Sequence, residues 1–155
     1  MAKKLALIAS KGTLDWAYPP FILASTAAAL DYEVQIFFTF YGLTLLRKDL
    51  SDLKVSPLGN PAMPMPVPMP NFVQMIPGME SMATLMMKQK IASKGVASIA
   101  DLRAACIESG VKLIACQMMV DPFDFDKADF IDEIEYGGAA VFFEFAGESD
   151  VNLFI

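Results

Sequence analysis

The 155-residue sequence contains no histidine. That absence excludes Ser-His-Asp and Cys-His catalysis, His-ligated zinc, haem and most copper centres. Cysteine is nearly missing too: two residues cannot build a structural zinc site or a full set of iron–sulfur ligands. Charge is sparse, with 19% charged against 55% hydrophobic residues and a net charge of −6. An acidic chain without a basic cluster is a poor nucleic-acid binder, because phosphate contact needs Lys or Arg gathered on one face. No apolar run reaches the roughly 18 residues of a membrane-spanning helix. The opening MAKKLALIAS is too short for a signal sequence and has no convincing cleavage site. The expectation is therefore a first strand of a cytoplasmic protein whose cysteines are reduced.

What is present points to an ordered α/β protein. The length favours a single domain over residues 1–155 with a real core. The apolar content is high for a monomer, and a homo-oligomeric interface is the simplest destination for the excess. KLALIAS (residues 4–10) reads as a strand running into the loop Ser10-Lys11-Gly12-Thr13. The Ala-rich stretch 20–30 suits a helix with proline in its first turn. Residues 33–40 (EVQIFFTF) are β-branched and aromatic with apolar side chains on both faces, as a helix-covered parallel sheet requires. A short helix or turn is expected over 42–50. Helices are expected over about 79–93 and from Ser98 to Gly110, the latter capped by Ser98 and stopped by the glycine. Further strands are expected at 111–116, 139–146 and 151–155, with a helix near 127–134. This alternation predicts a three-layer α/β sandwich around a mostly parallel sheet of about five strands.

Residues 57–78 stand apart. Seven of the ten prolines lie between positions 57 and 77, with the core PAMPMPVPMP. Proline at alternate positions forbids both helix and central strand, so this insertion reads as an extended, polyproline-like excursion. Its methionines and those of the following helix could bind Cu(I), but without histidine or a nearby cysteine they read as soft contact surface. The acids of DPFDFDKADFIDEIE lack the spacing and glycine of a calcium loop and read as a solvated face. No metal and no cofactor is expected.

The chemistry centres on VKLIACQMMVD (residues 111–121). Cys116 ends a predicted strand, and ligands of open α/β sheets bind just outside the carboxyl ends of strands. The candidate pocket partners at that edge are Ser10, Lys11, Gly12, Thr13, Tyr41, Gly42 and Gln117. Backbone N–H groups or Lys11 could favour a thiolate there. Position alone leaves a reactive thiol and a small inert core residue both open. Cys106 falls with Ile99 and Leu102 on the apolar stripe of its helix and reads as a packed core thiol. Chain geometry puts Cys106 about 6 Å and Cys116 about 17–20 Å from the shared turn at Gly110, too far apart for a disulfide.

Several stretches resemble those of the DsrE/DsrF-like sulfur-relay family, in particular its longer DsrE-type subfamily often labelled peroxiredoxin-like. They include SKGTLDWAYPPFILASTAAAL, VQIFFTFYGLTLL, GNPAMPMP, PGMESMATLMMK, GVASIADLRAACIESGVKLIACQM and IDEIEYGGAA. The resemblance covers nearly the whole chain. It implies a flavodoxin-like subunit that forms homo-oligomers and carries sulfur as a persulfide on Cys116, with Cys106 as a secondary candidate. It also implies exchange with TusA-type carriers and rhodanese-type donors. After Cys116 the sequence departs from the family pattern, with Met119 where a hydroxyl residue is expected. The alternatives are a docking module that uses the Met/Pro surface on a protein or membrane, and a thiol peroxidase. The latter usually needs a Pro-x-x-x-Thr/Ser-x-x-Cys loop, and GVKLIA stands there instead.

Overall fold

The computed structural model describes residues 1–56 and 71–155. Strand β1 (Lys4–Ala9) leads through helix α1 (Leu14–Ala29) to strand β2 (Glu33–Phe38). Two 3₁₀ helices (Phe40–Leu46 and Asn71–Met75) precede α2 (Met79–Ser93) and α3 (Ile99–Glu108). Strand β3 (Lys112–Cys116) runs directly into the single turn α4 (Gln117–Val120). Strand β4 (Glu135–Gly137), helix α5 (Ala139–Ala146) and strand β5 (Val151–Phe154) complete the fold. All strand pairs are parallel, in the order β4-β3-β2-β1-β5.

Alternate residues of a strand face opposite sides, and here the two sides are covered very differently. Leu7, Ile36, Phe38 and Leu113 pack with Phe21 of α1 and Cys106 of α3 in a large, dry core. On the opposite side the described residues form a small cluster of Phe37, Ile114 and Cys116, with Ile8, Met119 and Phe142 against them. Helix α5 is the cover on this second side, and none of its residues is fully buried. The architecture is a three-layer α/β sandwich with one thick and one thin outer layer.

Several elements differ from expectation. Residues 139–146 (AAVFFEFA) form helix α5 and not a strand. Aromatic and branched residues fit either state in so short a run. The helix satisfies both sides at once: Phe142 reaches Phe37 on the sheet, at 5.6 Å between ring centroids, while Phe143 faces out. The fifth strand of the sheet is instead β4, three residues long. The helix expected near 127–134 is a single 3₁₀ turn, Lys127–Asp129. Helix α1 starts at Leu14, six residues before the expected start, and carries Pro19 and Pro20 inside it. Proline there removes i→i−4 donors, and burial of Ala17, Phe21 and Ala24 against the sheet and α3 outweighs that loss. Of the expected Met/Pro excursion, residues 57–70 lie outside the described residues, and 71–75 are 3₁₀ rather than extended. Helix α3 ends as expected: Ser98 Oγ accepts from Asp101 N–H at 3.1 Å, and Gly110 sits at φ 81°.

One buried charge ties α3 to the segment after β2. Arg103, 7% exposed, donates through Nη1 to the carbonyls of Leu45 at 2.8 Å and Arg47 at 2.6 Å. These carbonyls lie at the end of the first 3₁₀ helix, where Ile131 N–H also donates to Leu46 O at 3.0 Å. Burial holds the guanidinium below its usual pKa, and the nearby charge of Glu133 opposes that shift. Arg103→Met is expected to lower stability by about 2–4 kcal/mol in urea unfolding, since one buried and one half-buried carbonyl lose their donor. A loss under about 0.5 kcal/mol would show that the bonds are dispensable.

Candidate functional site

Cys116 is the last residue of β3, at the carboxyl edge of the sheet. β3 lies one strand in from the edge, and Cys116 is paired with Gly137 of β4. The thiol is 8% exposed and belongs to the small cluster on the thin side of the sheet, with Phe37, Ile114, Met119 and Phe142. Gly137 beside it is tightly packed: a Cβ would lie 3.1 Å from Val141 and 3.2 Å from Ile114, so those side chains would have to shift. The chain turns directly from Cys116 into α4, so Gln117 and Met118 are exposed next to the thiol.

Cys106 is in the opposite situation. It is fully buried on the thick side and donates its S–H to Phe21 O at 3.4 Å. Burial pushes its pKa up to about 11, which leaves almost no thiolate near neutral pH. Both cysteines are free, and the sheet itself stands between them.

The other candidate residues separate into two groups. Lys11, Gly12, Thr13 and Tyr41 line a cavity of about 360 Å³ together with Trp16, Thr44 and Ser56. Lys11 Nζ lies 3.4 Å from the Trp16 ring centroid, a cation–π contact. Ser56 donates from N–H and Oγ to Asp15, at 2.9 and 2.7 Å. Burial pushes the Asp15 carboxyl upward, but the bonds from Ser56 and Thr13 outweigh it and hold its pKa below the ordinary value. Trp16, Thr44 and Ser56 were missed from sequence; Ser56 arrives from a distant loop with no motif to announce it. Ser10 and Gly42 serve the frame instead. Ser10 donates from N–H and Oγ to Ile155 O at 2.9 and 3.0 Å, which ties the end of β5 to β1. Gly42 rests on the backbone of Ala9, where a Cβ would collide with the Ala9 carbonyl.

Cys116 does not line that cavity, nor a larger one of about 780 Å³ between α1, α2 and α3. The two loops nevertheless meet: Phe123, just past α4, packs edge-on against Phe40 and Tyr41, at 5.5 and 5.3 Å. Among the described residues no group of His, Cys, Asp and Glu could hold a metal ion. No helix among them is long and apolar enough to cross a membrane. The site therefore offers a thiol at a strand end, beside exposed Gln117 and Met118.

Comparison with known proteins adds three findings. Residues 1–154 match the model of the DsrE/DsrF/DrsH-like family. The sulfur carrier protein DsrE2 of Allochromatium vinosum is 66% identical over 157 residues, covering 99% of this chain and 98% of that protein. The uncharacterized protein YrkE of Bacillus subtilis is 34% identical over 164 residues, at 99% and 97% coverage. In fold, the chain is similar to the crystal structure of the YchN protein from E. coli, with a TM-score of 0.58, 11% identity and full coverage of both chains.

Proposed function

The chain belongs to the DsrE/DsrF/DrsH-like family, and from that premise we propose that it is a sulfur carrier that holds persulfide sulfur on Cys116. The observation that carries this reading is the position of Cys116: a thiol ending a strand at the ligand edge of the sheet, beside exposed Gln117 and Met118. The Cys116 thiolate attacks the outer sulfur of a donor persulfide. A new S–S bond forms to Cys116, the donor's S–S bond breaks, and the donor leaves as a thiolate. An acceptor thiolate then removes that sulfur by the same exchange in reverse. No net redox change occurs and no metal or general base is required, which suits a chain without histidine. A rhodanese-type donor and a TusA-type carrier are the partners that fit this exchange, and free cysteines fit the cytoplasm. The test is intact and tryptic mass spectrometry after incubation with a persulfide donor, with peroxide turnover measured in parallel. Gain of one sulfur atom on Cys116 supports the carrier. Peroxide turnover without sulfur gain favours a thiol peroxidase, and neither activity favours a docking module.

The same protein is proposed to work as a homo-oligomer. Helix α5 and strand β5 leave Phe143 and Phe154 exposed at 69% and 73%, beside an apolar groove of about 480 Å³. Helix α2 presents Met82, Leu85 and Met86 outward. Exposed apolar surface of this extent marks an interaction site. Light scattering at micromolar concentration is expected to return a multiple of the chain mass; a stable monomer would overturn this reading.

A further inference from the structure

The segment joining α4 to β4 concentrates the charge of the molecule. Between Asp121 and Glu135 lie seven carboxylates against the single ammonium of Lys127. The local charge thus equals the −6 of the whole chain, and every other charge in the protein is balanced. All seven are exposed, and among the described residues none forms an ion pair. Lys127 lies 4.7 Å over the Tyr136 ring. The segment begins one turn past Cys116 and ends beside it, since Gly137 is the residue paired with Cys116.

Underneath, the segment is anchored by aromatic rings. Phe123 packs on Phe40 and Tyr41, then on Phe125, which continues to Phe130 and Tyr136. Phe40, Tyr41 and Met118 remain exposed where the chain leaves the carboxyl ends of β2 and β3, while Tyr136, paired with Ala115, lies on the opposite side of the sheet from Cys116. Phe40 and Asp124 hold positive φ values of 50° and 54°, conformations that non-glycine residues rarely adopt. The carboxylates therefore stand over a run of packed aromatic rings, in a segment that starts five residues after Cys116 and ends two before its strand partner Gly137.

We propose that this segment is the docking surface for a protein partner whose own cysteine is ringed by Lys and Arg. The inference rests on the persulfide reading of Cys116 and names the chemistry of the partner. Charge complementarity selects that occupant: unpaired carboxylates around a reactive edge steer a basic surface toward it. A second copy of this chain does not fit here, because an isologous contact sets each carboxylate against its own kind. That leaves the apolar faces of α5, β5 and α2 for self-association.

The experiment uses two synthetic peptides that differ only in the residues around one persulfidated cysteine, lysines in one and glutamates in the other. At low salt the lysine peptide is expected to load Cys116 at least about tenfold faster. The ratio is expected to fall toward one in 1 M salt, where screening acts over about 3 Å. It is also expected to fall in the variant Asp121→Asn, Asp124→Asn, Asp132→Asn; asparagine tolerates the positive φ at 124. A small uncharged persulfide should load the wild type and this variant equally, which shows that the variant is folded and its thiol competent. Equal rates for both peptides, or a ratio that survives neutralisation, would overturn the docking surface while leaving the carrier intact. Failure of the small persulfide to load Cys116 in the wild type would overturn both readings.

Discussion

Cys116→Ser is expected to abolish persulfide loading while leaving the fold intact. The lost sulfur is the nucleophile itself, and a serine hydroxyl at neutral pH has no comparable anion to attack a persulfide. Structurally the change is small: serine is close to cysteine in size, and the residue ends its strand in the small cluster on the thin side, buried at 8% exposure. Cys106→Ser is expected to give the reverse. Loading persists, because a thiol with its pKa near 11 contributes little thiolate. Stability falls by about 1–3 kcal/mol, because a hydroxyl replaces a thiol inside an apolar core. Tryptic mass spectrometry of both variants, with thermal unfolding of each, separates the two roles. Transfer that survives Cys116→Ser and disappears in Cys106→Ser would show the wrong carrier has been chosen.

Gly42→Ala is expected to be severely destabilising. The added Cβ would meet the carbonyl oxygen of Ala9 and come within 2.8 Å of its carbonyl carbon. Both partners are backbone, so no side chain can swing away. The same Ala9 carbonyl accepts from Thr39 N–H at 3.1 Å, and Leu43, Leu45 and Leu46 follow Gly42 into the core fully buried. Relief requires moving either the end of β1 or the whole 3₁₀ helix. The expected cost is about 3–5 kcal/mol. For a chain of this size that corresponds to a fall of about 6–20 °C in Tm. Gly138→Ala is the control: a Cβ there meets nothing within 4 Å, and φ is −96°. Its effect should stay within about 1 kcal/mol. Calorimetry of both variants decides the matter; equal Tm values would mean that the loop has slack not evident from the contacts.

Much of this architecture was legible in the sequence because strands and helices advertise themselves by burial. β1, β2 and β3 are nearly continuous apolar runs, as a sheet covered on both faces demands. Helix α3 carries its own start and stop in Ser98 and Gly110. The failures are physical as well. β4 is three residues long, too short to show any period. Helix α5 is rich in phenylalanine, and its eight residues satisfy the strand template as readily as the helical one until the sheet is in place to receive Phe142. Helix α1 continues N-terminal to two prolines because its packing face begins at Leu14, a tertiary fact. At the candidate site, Cys116 was conspicuous as a strand-ending thiol. The division of its neighbours was not, because Ser10 is engaged by the distant backbone of Ile155, and Thr44 and Ser56 join Lys11 only through folding.

The placement of the two thiols on opposite sides of one sheet has a kinetic consequence. A sulfur carrier with a second cysteine in reach could discharge itself, closing an internal disulfide and releasing sulfide before any acceptor arrived. Here that unimolecular route is blocked by a continuous layer of hydrogen-bonded backbone. On the proposed chemistry, the lifetime of the cargo is then governed by encounters with external thiols alone. Delivery becomes second order, set by the concentration and approach of the acceptor and not by an internal clock.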